Sequence, residues 1–265
     1  MDTLIGLITA FGALTAALLL EGGRLSELWG PSAFLIVMGG VIGALFISFP
    51  ISEVAKIPKL IALAFRKQNI RYDEKIATVV NMSEKARRDG ILSLEPELAK
   101  VDDDFLRRAF SMVVDGTDPD MLKNMLEIEI TSVEQRHEAG AAMFEAAGGF
   151  APTMGIIGTV MGLVKVLSSI TDTASLAKNI AVAFIATFYG VATANLFWLP
   201  IASKLKVKSK AEILEMELAM EGALSVQAGE NPHALEQKLN AFLPPSKRSS
   251  KWGAAAAAAG ETDRA

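Results

Sequence analysis

The chain has 265 residues, 51% hydrophobic and 21% charged, with a formal net charge of -4 and a mean hydropathy of +0.34. That balance is too apolar for an ordinary soluble domain, so a membrane protein is the first expectation. The absence of cysteine excludes disulfides, thiolate catalysis and cysteine-based metal sites. With no basic field, no glycine-rich phosphate loop and no interleaved basic and aromatic stretch, nucleic acid is not an expected partner.

Residues 3–20 form a nearly uncharged apolar run of about the ~20 residues that a spanning helix requires. A signal peptide is the competing reading, but the segment MDT ahead of the run has no Lys or Arg and no small-residue cleavage site follows it. The run therefore reads as a first, retained span. A short link, EGGRLSELWGP, leads to a second apolar span at 33–50, with Trp29 where an interfacial aromatic belongs and Gly39, Gly40 and Gly43 on a small-residue face.

From residue 51 the sequence turns charged and amphipathic. KIATVVNMSEKARRDG predicts a helix ending at Gly90, and LEPELAKVDDDFLRRAFSMVVDG predicts another ending at Gly116. Thr117-Asp118-Pro119 then supplies an N-cap and a first-turn proline for a third helix with no strong breaker before Gly148. That helix is expected to run on directly into the stretch 145–170, EAAGGFAPTMGIIGTVMGLVKVLSSI, which starts in polar sequence and then crosses the apolar third span. There Gly155, Gly158 and Gly162 recur at helical spacing and open one side to close backbone approach, while Pro152 and Thr159 add a kink site and a hydroxyl. A helix that only anchors needs none of these features.

The link TDTASLAK leads to a fourth span at 180–201, IAVAFIATFYGVATANLFWLPI, where Tyr189 and Trp198 suit an interface or a helix contact. Lys204, Lys206, Lys208 and Lys210 follow it, and Lys56, Lys59, Arg66 and Lys67 follow the second span. The links after spans one and three carry only Arg24 and, at their edges, Lys165 and Lys178. This asymmetry places both termini and the large loop in the cytoplasm. KAEILEMELAMEGALSVQ reads as an amphipathic helix, and GENPHALEQKLNAFLPP as a short helix capped at Asn231-Pro232. The tail from 246, with its alanine run, reads as disordered or as a remnant foreign to the fold.

The expected architecture is an all-α membrane protein with four transmembrane helices, a large helical cytoplasmic loop and a helical cytoplasmic C-terminal region. Its segments are 1–50 (spans one and two), 51–146 (cytoplasmic loop), 147–201 (spans three and four), 202–245 (C-terminal helices) and 246–265 (tail).

No span contains Asp, Glu or His. A proton relay needs a titratable group near mid-bilayer, so if this chain conducts ions the ion-binding carboxylate must come from another chain. Lys165 and Lys178 lie near the outer ends, where snorkelling accounts for them. His137 and His233 are far apart in unlike contexts and read as helix-surface histidines, without a metal or catalytic cluster. Thr159, Thr187 and Thr193 could line a path as hydroxyl ligands, although a threonine in a spanning helix commonly bonds its own backbone. In the loop, Arg87 and Arg88 face Glu95 across the helix end at Gly90, close to Lys85 and Asp89. They read either as a solvated charge run or as an electrostatic docking surface for a protein partner. No nucleophile and base form a plausible constellation, so an enzyme is not expected.

ARRDGILSLE, EAAGGFAPTMGIIGTVMGLV and QAGENPHALEQKL, in this order with four spans and this loop placement, resemble the A subunits of bacterial flagellar motor stators, the MotA/PomA family. The resemblance extends from the first span to the FLPP near Pro245. It implies a complex of the cytoplasmic membrane in which a pentamer of A subunits surrounds a dimer of MotB/PomB-type B subunits carrying the ion-binding aspartate and a peptidoglycan-binding domain. Ion passage would drive stepwise rotation of the A ring and turn the rotor through its switch protein FliG. By the same resemblance, Arg87 and Glu95, with Arg88 beside them, match rotor-contact charges. Pro152 and Pro200 match prolines that couple ion binding to movement, and Thr159 and Thr187 match threonines of the ion pathway. Sodium-driven members carry a further threonine where this chain has Ala186, so the resemblance favours protons as the transported ion and implies no bound cofactor. The related ExbB/TolQ energisers, with three spans, and a four-helix membrane scaffold or carrier without a B partner are the competing classes. Four spans and the GENP segment count against the first, and the lack of inverted repeats counts against a carrier.

Overall fold

The computed structural model describes residues 2–68, 71–168, 173–245 and 248, and among them it is helical with no strand. α1 spans Asp2–Leu20 and α2 Pro31–Ser48. A single turn at Ile51–Val54 leads into α3, Ile57–Phe65. α4 follows at Tyr72–Asp89, α5 at Asp104–Val114, α6 at Pro119–Ser168 and α7 at Thr173–Thr193. A π-helical turn at Ala194–Trp198 passes into α8, Leu199–Gln227, and α9 closes at Pro232–Ala241.

Contacts divide the chain into two compact units. One holds residues 1–68 and 136–208, the other 69–135 and 209–265. The limits differ from the segments expected from sequence, because 51–68 and 136–146 belong with the spanning helices. Hydrophobicity accounts for this. Ile57, Leu60 and Ile61 of α3 pack against the same buried cluster as Val41, Leu45, Phe144 and Trp198, and Leu60 lies against Gly140, with its Cδ1 3.3 Å from where a Cβ would stand.

In the first unit the helices wear their large apolar side chains outward. Ile47, Ile156, Val164, Leu167 and Phe184 are all exposed, whereas alanines at 141, 147 and 151 are fully buried. Inverted burial of this kind suits lipid, where small residues pack helices and large ones meet acyl chains. α2, α6 and the helix Asn179–Gln227 are each long and apolar enough to cross a membrane. α1, at 19 residues, reaches roughly 28 Å at ~1.5 Å per residue, just short of a ~30 Å hydrocarbon core. The expected long rod is present: α6 is 50 residues of unbroken helix containing Pro152. The fourth span likewise continues without a break beyond 201.

The second unit has the opposite pattern. Its amphipathic helices bury Phe110, Leu94, Leu122, Leu126, Leu218, Leu235 and Leu239 in one core. Gly90 ends α4 at φ 86°, and Gly116 turns the chain at φ 71°, both in the left-handed region expected of them. The stretch before Gly116 departs from the single helix expected. It forms a 3₁₀ turn at Ile91–Leu94, a short turn at Glu95–Leu98 and only then α5. The cause is the run Asp102-Asp103-Asp104, where Asp103 accepts the Leu106 amide at 2.9 Å and starts a new helix. At the other terminus Asn231 caps α9 as expected, accepting from the His233 amide at 2.9 Å. The tail beyond 248, and the disorder expected there, lie outside the described residues.

Lys75 is buried, with its ammonium bonded to Asp103 and, at 2.7 Å, to Glu215. Burial alone would raise the Asp103 carboxyl, but the Leu106 amide and the Lys75 ammonium outweigh it and hold it below the usual carboxylate range. Lys75→Met should leave two carboxylates without their cation and cost about 3 kcal/mol, the lower end for breaking a buried pair. Thermal denaturation of the full chain in detergent measures this. Because the Asp103 value is lowered on folding, its contribution should be complete above ~pH 4 and fade as the pH falls through the native value.

Candidate ion pathway and charged corner

The glycine face of α6 meets α7 closely enough that no side chain fits at the glycine positions of the seam. A Cβ on Gly155 would stand 2.9 Å from the Ala186 carbonyl oxygen, and one on Gly190 2.5 Å from that of Ala151 and 3.2 Å from the Cα of Pro152. Gly158 and Gly162 face the methyl groups of Ala186 and Ala183 in the same way, at 2.6 and 2.7 Å. The sequence shows the α6 half of this seam plainly. Its partner, Ala183, Ala186, Thr187 and Gly190, carries the same small-residue spacing but is masked by Phe184, Phe188 and Tyr189 between them.

The two pathway threonines meet in this seam. Thr159 Oγ1 lies 3.1 Å from the Gly155 carbonyl and 3.1 Å from the Ala183 carbonyl, and is hydrogen-bonded to Thr187 Oγ1. A hydroxyl has one proton, so when Thr159 donates to a carbonyl it must accept from Thr187. The result is a short chain of hydroxyls, half-buried, with no Asp, Glu or His in the spans. It can orient a hydrogen bond or offer oxygen ligands, but cannot itself take up a proton. Among the described residues no carboxylate or histidine group could hold a metal ion. Ala186 sits beside Thr187, 1% exposed, its methyl filling the notch left by Gly158. Thr193, in contrast, bonds its own helix, donating to the Tyr189 carbonyl at 2.7 Å. Lys165 is exposed, and the Lys178 side chain lies outside the described residues.

Pro152 lies in the seam against Gly190. It leaves the Gly148 carbonyl without its helical N–H, and the notch of Gly148 is filled by Leu199, 2.5 Å from the position of a Cβ. Pro200 follows Leu199, is exposed and lies outside the seam. Its missing N–H helps explain why the preceding turn, Ala194–Trp198, is π-helical. Sequence reasoning missed a clamp farther along α7. The Tyr189 hydroxyl donates to the Leu28 carbonyl at 2.5 Å and accepts from the Gly30 amide at 3.2 Å, while its ring meets Phe34 edge-on.

In the second unit Arg87, Arg88 and Glu95 are exposed around the corner made by Gly90. They do not pair with one another. Arg88 bonds Asp89 at 3.0 Å, which holds that carboxyl below its usual range. The ion pair that bridges the corner is Lys85–Glu97 at 2.8 Å, with Lys100 on the other oxygen of Glu97 at 3.0 Å. Among the described residues neither Arg87 nor Glu95 has an ion-pair partner. The corner is therefore braced by one set of charges and offers another set to solvent.

Residues 97–218 match the model of the MotA/TolQ/ExbB proton channel family, and residues 4–90 that of the motility protein A N-terminal region. Motility protein A of Bacillus subtilis is 41% identical over 247 residues, covering 93% of this chain and 92% of that protein. The structure of the flagellar MotAB stator complex from Bacillus subtilis matches with a TM-score of 0.87 at 40% identity, over 94% of this chain and 98% of that one. The structure of C. jejuni MotAB matches with a TM-score of 0.89 at 29% identity, over the same shares.

The seam makes a sharp steric prediction. Gly190→Ala sets a methyl against backbone and should cost about 1–3 kcal/mol, whereas Gly149→Ala, with nothing within 4 Å of its Cβ position, should be neutral or stabilise by up to ~1 kcal/mol. Melting of the two purified variants in detergent compares them directly.

Proposed function

The chain belongs to the MotA/TolQ/ExbB proton channel family, and we propose that it is the ion-conducting A-type stator subunit of a bacterial flagellar motor. It is a transport-type membrane protein and not an enzyme. One observation carries the reading: the Thr159–Thr187 hydroxyl pair is held on a backbone-tight seam in spans that lack any carboxylate. Such a site is half of an ion pathway. The titratable half comes from a partner, as the B subunit of the MotAB complexes that this chain resembles would supply it. The ExbB/TolQ alternative is weaker, because the relatives that match nearly the whole chain are named as motility proteins.

In this reading A subunits form a pentamer around a B-subunit dimer in the inner membrane, with both termini and the charged unit in the cytoplasm. A proton bound by the partner carboxylate passes the hydroxyl pair. Protonation changes the contact with the Pro152 region of α6, where the helix lacks one hydrogen bond and deforms at low cost. Arg87, Arg88 and Glu95 then engage charges on the rotor protein FliG, and Pro200 acts with Pro152 in coupling. Protons are favoured over sodium because a sodium ion needs several oxygen ligands in place of its water, and Ala186 presents a methyl to the seam where a third hydroxyl would be needed.

Two measurements test this. Arg87→Glu with Glu95→Lys should abolish or strongly reduce swimming while membrane level and B-subunit association stay near wild type, since exposed charges contribute only ~0–1 kcal/mol to folding. Loss of the protein from the membrane would make the pair structural. Swimming powered by this subunit and its own partner should persist in sodium-free medium and collapse with a protonophore. A speed that rises with external sodium at fixed pH and membrane potential would overturn the proton assignment.

A further inference from the structure

The second and fourth spans end on the same side of the membrane, because two crossings separate their ends. At that level the first unit gathers a set of cations. Lys208 donates to the Leu63 carbonyl at 2.5 Å and to the Arg66 carbonyl, and Gln68 Nε2 donates to the Lys208 carbonyl at 3.2 Å. These bonds tie the end of α3 to α8 and place Arg66 beside the Lys204–Lys208 turn. Lys208 is lowered from the usual lysine range first by burial and then by the positive charges of Lys204 and Arg66, an independent sign that the three cations are crowded.

Like charges held together without carboxylates call for an anion. Lys56 is answered by Glu53 and Lys206 by Glu145. Among the described residues Lys59, Arg66, Lys67 and Lys204 have no ion pair. The apolar groups among them are also unmatched: Leu63 is 45% exposed and Val207 63%. α3 buries Ala64 and turns Ile57, Leu60 and Ile61 to the core, so Lys59, Leu63 and Arg66 share its outer face. A dissolved anion would satisfy the cations and leave Leu63 and Val207 in water, whereas a phospholipid satisfies both.

We propose that Arg66 and Lys204, with Lys59 and Lys67 around them, bind the phosphate headgroup of an anionic lipid at the membrane surface where the second and fourth spans end, with the acyl chains against Leu63 and Val207. The planar guanidinium of Arg66 suits a phosphate in two-point contact, and Lys204 adds a point charge. Each cation at such a surface strengthens binding to anionic lipid severalfold. The site rests on the membrane-spanning fold alone and is independent of flagellar function.

The test uses the full chain with its B partner in detergent, titrated with short-chain phosphatidylglycerol, with phosphatidylcholine of equal chain length, and with inorganic phosphate. Thermal protection and native mass spectrometry are the readouts. The wild type should bind phosphatidylglycerol about tenfold more tightly than phosphatidylcholine. Arg66→Gln with Lys204→Gln should bring the ratio to within about twofold, while Lys100→Gln with Lys123→Gln, which removes equal charge elsewhere, should leave it unchanged. Arg66→Lys alone should keep a reduced preference, which covers the case of a double variant that folds poorly. An unchanged ratio in the double variant, a loss in the control pair, or equal protection by inorganic phosphate would overturn the proposal. Co-purification with the B partner in every variant keeps a failure here distinct from a failure of the stator reading.

Discussion

Everything in the membrane unit depends on the approach of two backbones. Between α6 and α7 the contact surface is largely peptide and Cα, with glycine on one side opposite carbonyl oxygen or alanine on the other. Lipid gives no hydrophobic reward for helix association, so dispersion and close polar contact must hold the pair together. The same proximity lets two short hydroxyl side chains from different helices touch. With ordinary residues in the seam the helices would stand a side chain apart, and Thr159 and Thr187 would each fall back on its own helix, as Thr193 does.

Two kinds of polarity are kept apart in this chain. Charges sit mainly in the second unit and at the membrane surface, where water or opposite charge answers them. The polar side chains within the spans are neutral, among them the hydroxyls of Thr159 and Thr187 and the Asn195 amide, which donates to the Val191 carbonyl of its own helix at 2.9 Å. Lys75 with its two carboxylates and the Lys85–Glu97 brace show charge used for shape, satisfied within the unit. Arg87 and Glu95 show charge left unsatisfied at a braced corner. An exposed ion pair holds a fold together weakly, so the value of such residues lies in what they can meet.

Much of this was legible in the sequence, and the failures have physical reasons. The spans, the long α6, the capping at Gly90, Gly116 and Asn231, and the glycine face of α6 all follow from local composition. The restart of helix at Asp103 did not, because a run of aspartates reads equally as an acidic helix start or a solvated face until the Leu106 amide is seen to bond to it. The site was half legible. Thr159 and Thr187 are 28 residues apart, and only the fold brings them into contact. The Tyr189 clamp was invisible for the same reason, since its partners Leu28 and Gly30 are backbone groups far away in the chain. Glu97 as partner of Lys85 depends on the turn geometry after Gly90, which no spacing rule specifies.

The π-helical turn at Ala194–Trp198 settles a matter of phase. Buried positions on this helix fall at Ala183, Ala186, Ala194, Trp198, Ile201, Ala202 and Leu205, with Gly190 continuing the row against α6. From 186 to 198 they advance in steps of four, and at ~3.6 residues per turn each such step drifts ~40° around an α-helix. An uninterrupted α-helix would swing Trp198 and all that follows away from Phe144. One wider turn winds less per residue and brings the stripe back, so that the Trp198 ring still meets Phe144 at 6.0 Å. Any fusion or graft that treats the fourth span as ideal helix will therefore carry a rotational error past residue 198, and the lysines at 204, 206 and 208 will point to the wrong side of the membrane surface.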